Sequence, residues 1–174
     1  MTTPGGTDGE SSGDGANDAG REDHAGSAPA APPATRCVLG FDVGRRRIGV
    51  AVGNTISASA RAVAVVDARD DGPDWTAIGR LVAQWRPDRL LVGDPLTLDG
   101  EVQPITRHAR AFAQQLAARF GLPVQLVDER SSSRDADRRF AERRRSGTAK
   151  RKDAAALDAF AAEIIIERWL LERG

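Results

Sequence analysis

Residues 39–52 read L-G-F-D-V-G-R-R-R-I-G-V-A-V, and this stretch decides the fold. Two apolar, β-rich runs, residues 37–43 and 48–53, flank a turn of one glycine and three arginines. This pattern predicts a β-hairpin in which Gly44 supplies a positive φ. Asp42 then lies at the end of the first strand. An ionised carboxylate in an apolar strand must be paired, hydrogen-bonded or bound to a metal. Asp42 therefore indicates either an ion pair with an arginine of its own turn or a functional site.

The sequence beyond this hairpin alternates between strand-like and helix-like segments. Short apolar runs end at glycine, proline or acidic clusters, whereas longer segments repeat apolar residues at helical spacing. Strands are expected at residues 60–67, 89–93 and 124–127, and helices at residues 75–85, 104–120, 131–144 and 154–172. Asp74 is a candidate N-cap, and Gly121 is a helix-ending residue. These segments predict an α/β domain that binds its ligand at the carboxyl ends of parallel strands.

The first 35 residues differ from the rest in composition. They contain no Leu, Ile, Val or aromatic residue, and they hold six acids and one arginine. Such a segment cannot bury enough apolar surface to offset the entropy lost on ordering, so residues 1–35 are predicted to be a disordered acidic tail. Residues 36–174 are predicted to form a single folded domain, with 24 bases and 19 acids. This basic balance favours a nucleic-acid partner, although a mixed solvated surface would have the same composition.

Cysteine content and hydropathy indicate the cellular compartment of the protein. Cys37 is the one cysteine, which excludes an internal disulfide framework. No run approaches the roughly 20 apolar residues of a membrane-spanning helix. The first residues also lack the basic and apolar regions of a secretory signal. We therefore expect a cytoplasmic protein that does not associate with membranes.

Acidic residues interrupt apolar segments at three places. Asp42 and Glu129 both follow the apolar part of a predicted strand, and Asp158 lies on a packed face of the last helix. Asp153 shares a face with other apolar residues of that helix, so helical geometry alone does not separate it from Asp158. Two other acids of the helix are expected to face solvent, namely Glu163 and Glu167.

Three carboxylates without a His-rich or Cys-rich cluster match the oxygen ligands that Mg²⁺ or Mn²⁺ prefers. Two such ions about 3.5–4 Å apart would activate a water and stabilise the leaving oxygen in phosphodiester hydrolysis. Asp42 would bridge the ions, and Glu129 and Asp158 would complete the site. Neither His24, in the tail, nor His108, on a helix, offers a convincing general base.

Arginine-rich segments accompany these acids. Three consecutive arginines form the hairpin turn, and a dense basic segment follows Glu129. Guanidinium groups bind phosphate in a bidentate manner, although a solvated helix with i,i+4 ion pairs would have a similar sequence. The residues expected to contact nucleic acid are Arg45, Arg46, Arg47, Arg130, Ser131, Arg134, Arg138, Lys150, Arg151 and Lys152.

Four motifs, in this order, resemble the YqgF/RuvX family, described as Holliday-junction-resolvase-like proteins and as pre-16S rRNA nucleases. The motifs are G-F-D-V-G-R-R-R-I-G-V-A-V-G at 40–53, V-G-D-P-L-T-L-D-G at 92–100, D-E-R-S-S-S at 128–133 and L-D-A-F-A-A-E-I-I-I at 157–166. The resemblance covers about residues 36–173. It implies a ribonuclease-H-like fold, in which helices flank a five-stranded mixed sheet. It also implies an active site of Asp42, Glu129 and Asp158, and so favours Asp158 over Asp153.

The resemblance further implies a Mg²⁺- or Mn²⁺-dependent nuclease that processes the 5′ end of pre-16S rRNA, with branched DNA as the alternative substrate. The sequence departs from the family at Asp94, where an apolar residue is usual. Asp94 is therefore either an additional candidate ligand or a residue that solvates its loop. Both a monomer and a homodimer are compatible with the sequence.

Two further functions remain open at this point. A nucleic-acid-binding module without activity would use the same arginines, although the acids would then repel phosphate. Asp-x-Gly after a strand also occurs in the phosphate loops of actin-like ATPases and sugar kinases. Those proteins need a second, similar domain, which the 139 residues after the tail cannot supply.

Overall fold

The computed structural model of the chain describes residues 35–130 and 154–173, with side chains from Leu157 onward in the second segment. The predicted tail up to residue 34, the predicted helix at 131–144 and Asp153 lie outside the described residues. The elements are, in chain order, β1 (Cys37–Val43), β2 (Arg47–Asn54), β3 (Ser59–Arg69), β4 (Gly72–Pro73), α1 (Trp75–Trp85), β5 (Arg89–Asp94), α2 (Pro104–Phe120), β6 (Val124–Asp128) and α3 (Ala154–Leu171).

Local signals set the ends of α1 and α2 where the sequence predicts them. Oδ1 of Asp74 accepts a hydrogen bond from the N–H of Ala77 at 2.9 Å and caps the start of α1. Pro104 occupies the first turn of α2, where its missing N–H costs no helical hydrogen bond. Gly121 ends α2 in the left-handed conformation, with φ 64°.

The described strands form one mixed sheet with the order β4-β3-β2-β1-β5-β6. Strands β1 to β4 pair antiparallel, whereas β5 and β6 extend β1 in parallel. The predicted arrangement is therefore observed, with one additional strand. That strand, β4, has two residues, because Gly72 at φ 112° turns the chain back to pair with Ala68 and Arg69. A two-residue strand is too short to show an alternating pattern in the sequence.

Successive residues of a strand point to opposite faces of a sheet, and β1 shows this clearly. Leu39 and Phe41 belong to the apolar core under α1 and α2. Val38 belongs to the core under α3, and a Cβ at Gly40 would lie 2.6 Å from Cγ1 of Ile166 in that helix. Asp42 therefore lies on the α3 face, which is the face that carries the candidate site.

The hairpin turn differs from the prediction at Gly44, whose φ is not positive, unlike that of three other described glycines. Its N–H donates to the carbonyl oxygen of Arg47 at 3.0 Å. A Cβ at Gly44 would lie 2.7 Å from that same oxygen. The turn therefore needs glycine because the chain passes close to itself, and it does not need the left-handed backbone.

The expectation that Glu163 faces solvent is wrong. Strand β3 carries one extra residue, Val63, between the partners of Val50 and Ala51. Such a bulge interrupts the ladder of backbone hydrogen bonds. The N–H of Ala62 donates to Oε2 of Glu163 at 3.1 Å, so Glu163 joins α3 to the bulge in β3.

Among the described residues, no helix is both long and apolar enough to cross a membrane.

Candidate active site

Asp42 is brought close to α3 by the residue opposite it in the hairpin. The cross-strand partner of Asp42 is Gly49. A Cβ at Gly49 would overlap the backbone carbonyl of Asp158. Because glycine leaves this space open, the backbone of α3 rests on β2 at this point, and Asp158 lies beside Asp42.

Glu129 reaches the same face from the end of β6. It follows Asp128, the last residue of that strand, and its carboxylate lies over β5 at Gly93. A Cβ at Gly93 would overlap Oε1 of Glu129. Arg168 of α3 donates a hydrogen bond from a terminal guanidinium nitrogen to the carbonyl oxygen of Glu129. Two residues that the sequence analysis missed, Gly93 and Arg168, therefore define the position of Glu129.

The electrostatics of these carboxylates couple them to one another. Burial raises the pKa of Asp42 to about 6, and the nearby charge of Asp158 contributes to this rise. Burial and then repulsion from Asp42 raise the pKa of Glu129 to about 7, although the positive charge of Arg168 acts in the opposite direction. Asp42 is thus the member that interacts with both of the others.

Arg47 of the hairpin turn forms an ion pair with Asp158. Its Nε lies 2.9 Å from Oδ2 of Asp158. The sequence left open an ion pair between Asp42 and an arginine of its own turn, but the turn arginine pairs with the acid on α3. Arg47 is therefore part of the site, whereas Arg45 and Arg46 extend from the same turn into solvent.

The donor set fits a hard divalent cation in its chemistry. Asp42 interacts with both Asp158 and Glu129, the pKa values of Asp42 and Glu129 are raised, and Oδ2 of Asp158 is buried without an aligned hydrogen-bond donor in the described part of the chain. A divalent cation would neutralise this repulsion. Within residues 35–130 and 154–173, no three acid, histidine or cysteine side chains are gathered tightly enough to surround an ion.

Asp94 occupies a different environment. It is the last residue of β5, is 6% exposed, and accepts two hydrogen bonds from Arg110 of α2, from Nε and from a terminal nitrogen, at 2.8 Å each. Both carboxylate oxygens are therefore occupied by a bidentate guanidinium. Since the neighbouring residue Gly93 faces α3, Asp94 faces α2, on the side of the sheet opposite Asp42.

Arg130, predicted to contact nucleic acid, forms an ion pair within its own turn. Its guanidinium lies 2.7 Å from Oδ2 of Asp128, and its backbone N–H also donates to that carboxylate. The remaining predicted contacts lie outside the described residues, namely Ser131, Arg134, Arg138, Lys150, Arg151 and Lys152.

The mixed sheet, with α1 and α2 on one face and α3 and the three carboxylates on the other, has the ribonuclease-H-like fold. A family model described as "RuvX: Holliday junction resolvase" matches residues 36–172. The chain belongs to the RuvX family. This confirms the family and the fold class that the four motifs predict.

Curated relatives agree with this assignment. A protein of Xanthomonas axonopodis pv. citri is 61% identical over 133 residues, which cover 76% of this chain and 86% of the relative. A protein of Xanthomonas campestris pv. campestris strain B100 is 58% identical over 139 residues, with 80% and 88% covered. Both carry the name "Putative pre-16S rRNA nuclease".

Solved structures show a more distant similarity. Thermus thermophilus RuvC in complex with a Holliday junction substrate has a TM-score of 0.47 and 18% identity, with 79% of this chain and 95% of that chain covered. The Holliday junction resolvase of fowlpox virus has a TM-score of 0.47 and 14% identity, with 79% and 99% covered.

Proposed function

We propose that this chain is a divalent-metal-dependent nuclease that hydrolyses phosphodiester bonds, with a precursor of 16S rRNA as its substrate. The observation that carries the proposal is the meeting of Asp42, Glu129 and Asp158 on one face of the sheet, where burial and mutual repulsion raise the pKa of two of them. Strongly perturbed carboxylates in such a cluster are typical of catalytic sites. The names of the curated relatives support the choice of RNA substrate.

In the proposed mechanism, Asp42, Glu129 and Asp158 would hold Mg²⁺ or Mn²⁺, with Asp42 as the central ligand. When bound, the metal would supply a more acidic water as nucleophile and positive charge to stabilise the leaving oxygen. Arg168 fixes the backbone at Glu129 and thereby positions its carboxylate. The exposed arginines of the hairpin turn, Arg45 and Arg46, bind phosphates of the substrate.

A cleavage assay with matched variants tests this proposal. The wild type should cut an RNA that spans the 5′ end of pre-16S rRNA in Mg²⁺ or Mn²⁺, and EDTA should abolish cutting. Asp42→Asn and Glu129→Gln should each lower the rate by about 100-fold or more. Asp71→Asn removes the same charge from an exposed residue of the turn between β3 and β4, outside the three carboxylates, and should leave the rate unchanged.

Branched DNA is the second candidate substrate, because the matching family model is described as a Holliday junction resolvase. A four-way junction assayed beside the RNA distinguishes the two substrates by their relative kcat/KM. Equal cleavage by the wild type and Asp42→Asn would contradict the metal-site assignment. Salt-sensitive binding without cleavage would instead support a binding module.

A further inference from the structure

Arg47 lies at the border between the hairpin turn and the acids. It is the first residue of β2, and its Nε is 2.9 Å from Oδ2 of Asp158. The two side chains are 41% and 31% exposed, so the pair lies at the edge of the solvent, although the contacting oxygen itself is covered. Ion pairs in such positions contribute little, because water and salt screen them. The contact is therefore one that another cation can replace.

The geometry of the contact also leaves the carboxylate of Asp158 available to bind a cation. Oδ2 is buried, and among the described residues no donor is aligned with it, so the Arg47 contact is Coulombic without a hydrogen bond of good geometry. The same carboxylate repels Asp42. A divalent cation placed between these acids would neutralise both of them, which a single guanidinium on one side does not achieve.

We propose that Arg47 and a divalent cation are alternative partners of Asp158, and that the cation releases Arg47 to bind a phosphate of the substrate. The inference rests on the proposed nuclease function and extends it. Arg47 shares its turn with two exposed arginines, so its released guanidinium joins a basic cluster directly beside the acids. Arg47 is then a positioning residue for Asp158 in the cation-free protein and a phosphate contact in the cation-bound protein.

A titration with Mn²⁺ alone tests the exchange without reference to activity. Full-length wild type, Arg47→Gln and Arg46→Gln are titrated by calorimetry. Arg47→Gln should bind Mn²⁺ roughly two- to fivefold more tightly than Arg46→Gln, since the competing ion pair is lost. Arg46→Gln removes an equal charge from the next residue and so reports the general electrostatic effect. Equal affinities in the two variants would overturn the exchange.

RNA binding tests the release of Arg47. A short labelled RNA hairpin is titrated with each protein in EDTA and in Ca²⁺, and a gel confirms that the RNA stays intact. Arg47→Gln should weaken binding in Ca²⁺ but not in EDTA, because without a cation Arg47 is held by Asp158. Arg46→Gln should weaken binding in both conditions. If Arg47→Gln weakened RNA binding equally in EDTA and in Ca²⁺, the proposed release of Arg47 would be wrong.

The two measurements also separate this inference from the proposed function. If the wild type binds Mn²⁺ but no RNA, the proposed nuclease function and the contact of Arg47 with phosphate are both wrong. The Mn²⁺ titration still shows whether Arg47 and the cation compete for Asp158. If the wild type binds no Mn²⁺, the exchange fails as well. Arg47→Lys, which keeps the charge, should change Mn²⁺ affinity less than Arg47→Gln and serves as a second variant if the first does not fold.

Discussion

The two faces of the sheet are built from different residues, as β1 and β2 illustrate. Towards α1 and α2, β1 presents Leu39 and Phe41, which are fully buried. Towards α3, the same strand presents Gly40 and Asp42, and β2 presents Gly49. Large side chains hold a helix away from the sheet and fill the space between them, whereas glycines let the helix backbone touch the strands. Both faces have a buried apolar core, but on the second face the close contact of α3 with the strands at Gly40 and Gly49 also places charges side by side.

The largest expected effect on stability is that of Phe112→Ala on the first face. Phe112 is 2% exposed, stacks on Trp75 at 5.4 Å and meets the ring of Phe41 edge-on at 5.6 Å. Truncation should lower the free energy of unfolding by about 3–5 kcal/mol, as measured by urea denaturation. Under conditions where the variant is folded, its affinity for Mn²⁺ should equal that of the wild type. A fall in affinity would show that the two faces are not separable. Leu171→Ala, at a side chain that is 53% exposed, is the control.

Gly49→Ala should have the next largest effect and should damage both stability and the site. The new Cβ would overlap the backbone of Asp158, which cannot move without displacing α3. Overpacking of this kind costs about 1–3 kcal/mol, and we expect a loss of about 3 kcal/mol together with loss of Mn²⁺ binding.

The matched control for this substitution is Gly79→Ala. Gly79 lies within α1, and the nearest atom to its new Cβ would be Cε1 of Phe120 at 3.9 Å. Alanine there should stabilise the protein by about 0.5–1 kcal/mol, because glycine is a poor helix former. If Gly49→Ala behaved like Gly79→Ala, close approach of the α3 backbone would not be what positions Asp158.

Asp94→Asn tests whether a carboxylate near the site, but on the other face, belongs to the site. Asparagine keeps one acceptor for Arg110 and loses the charge, so stability should fall by less than for Gly49→Ala. The charge of Asp94 contributes to the raised pKa of Glu129, but Asp94 is a minor contributor and is paired with Arg110, so Mn²⁺ affinity should stay within about threefold of the wild type. A larger drop in Mn²⁺ affinity would place Asp94 among the ligands.

The sequence predicts the first face better than the second for a physical reason. Apolar periodicity and caps such as Asp74 and Gly121 act locally, so the bounds of α1 and α2 follow directly from them. The second face depends on what packs against each residue. The role of Gly49 becomes visible only when α3 is docked, and the pairing of Arg47 with Asp158 joins residues far apart in the chain. Asp42 is identifiable from the sequence because a charge on an apolar face is costly wherever its partner lies. The same reasoning makes Asp158 a candidate, but the family resemblance is what separates it from Asp153.

Asp88 lies at the other end of β1 from Asp42 and contrasts with it. Its substitution has the smallest expected effect on stability. Its Oδ2 accepts hydrogen bonds from the N–H groups of Arg36 and Cys37, each at 2.8 Å. These bonds hold the pKa of Asp88 below its ordinary value of 3.8. The carboxylate that is satisfied by backbone donors therefore prefers to be ionised, whereas burial and then repulsion from Asp158 raise the pKa of Asp42.

Asp88→Asn should therefore lower the free energy of unfolding by about 1 kcal/mol at neutral pH, since a well-exposed charged acceptor is replaced by a neutral one. A lowered pKa means that the unfolded chain binds more protons than the folded one as the pH falls. The stabilisation is consequently full above the ordinary pKa and is lost as the pH falls below it. Denaturation of the wild type and of Asp88→Asn at decreasing pH should show that the difference between their free energies of unfolding disappears. A difference that is independent of pH would mean that Asp88 acts through hydrogen-bond geometry alone, and that its charge does not distinguish it from Asp42.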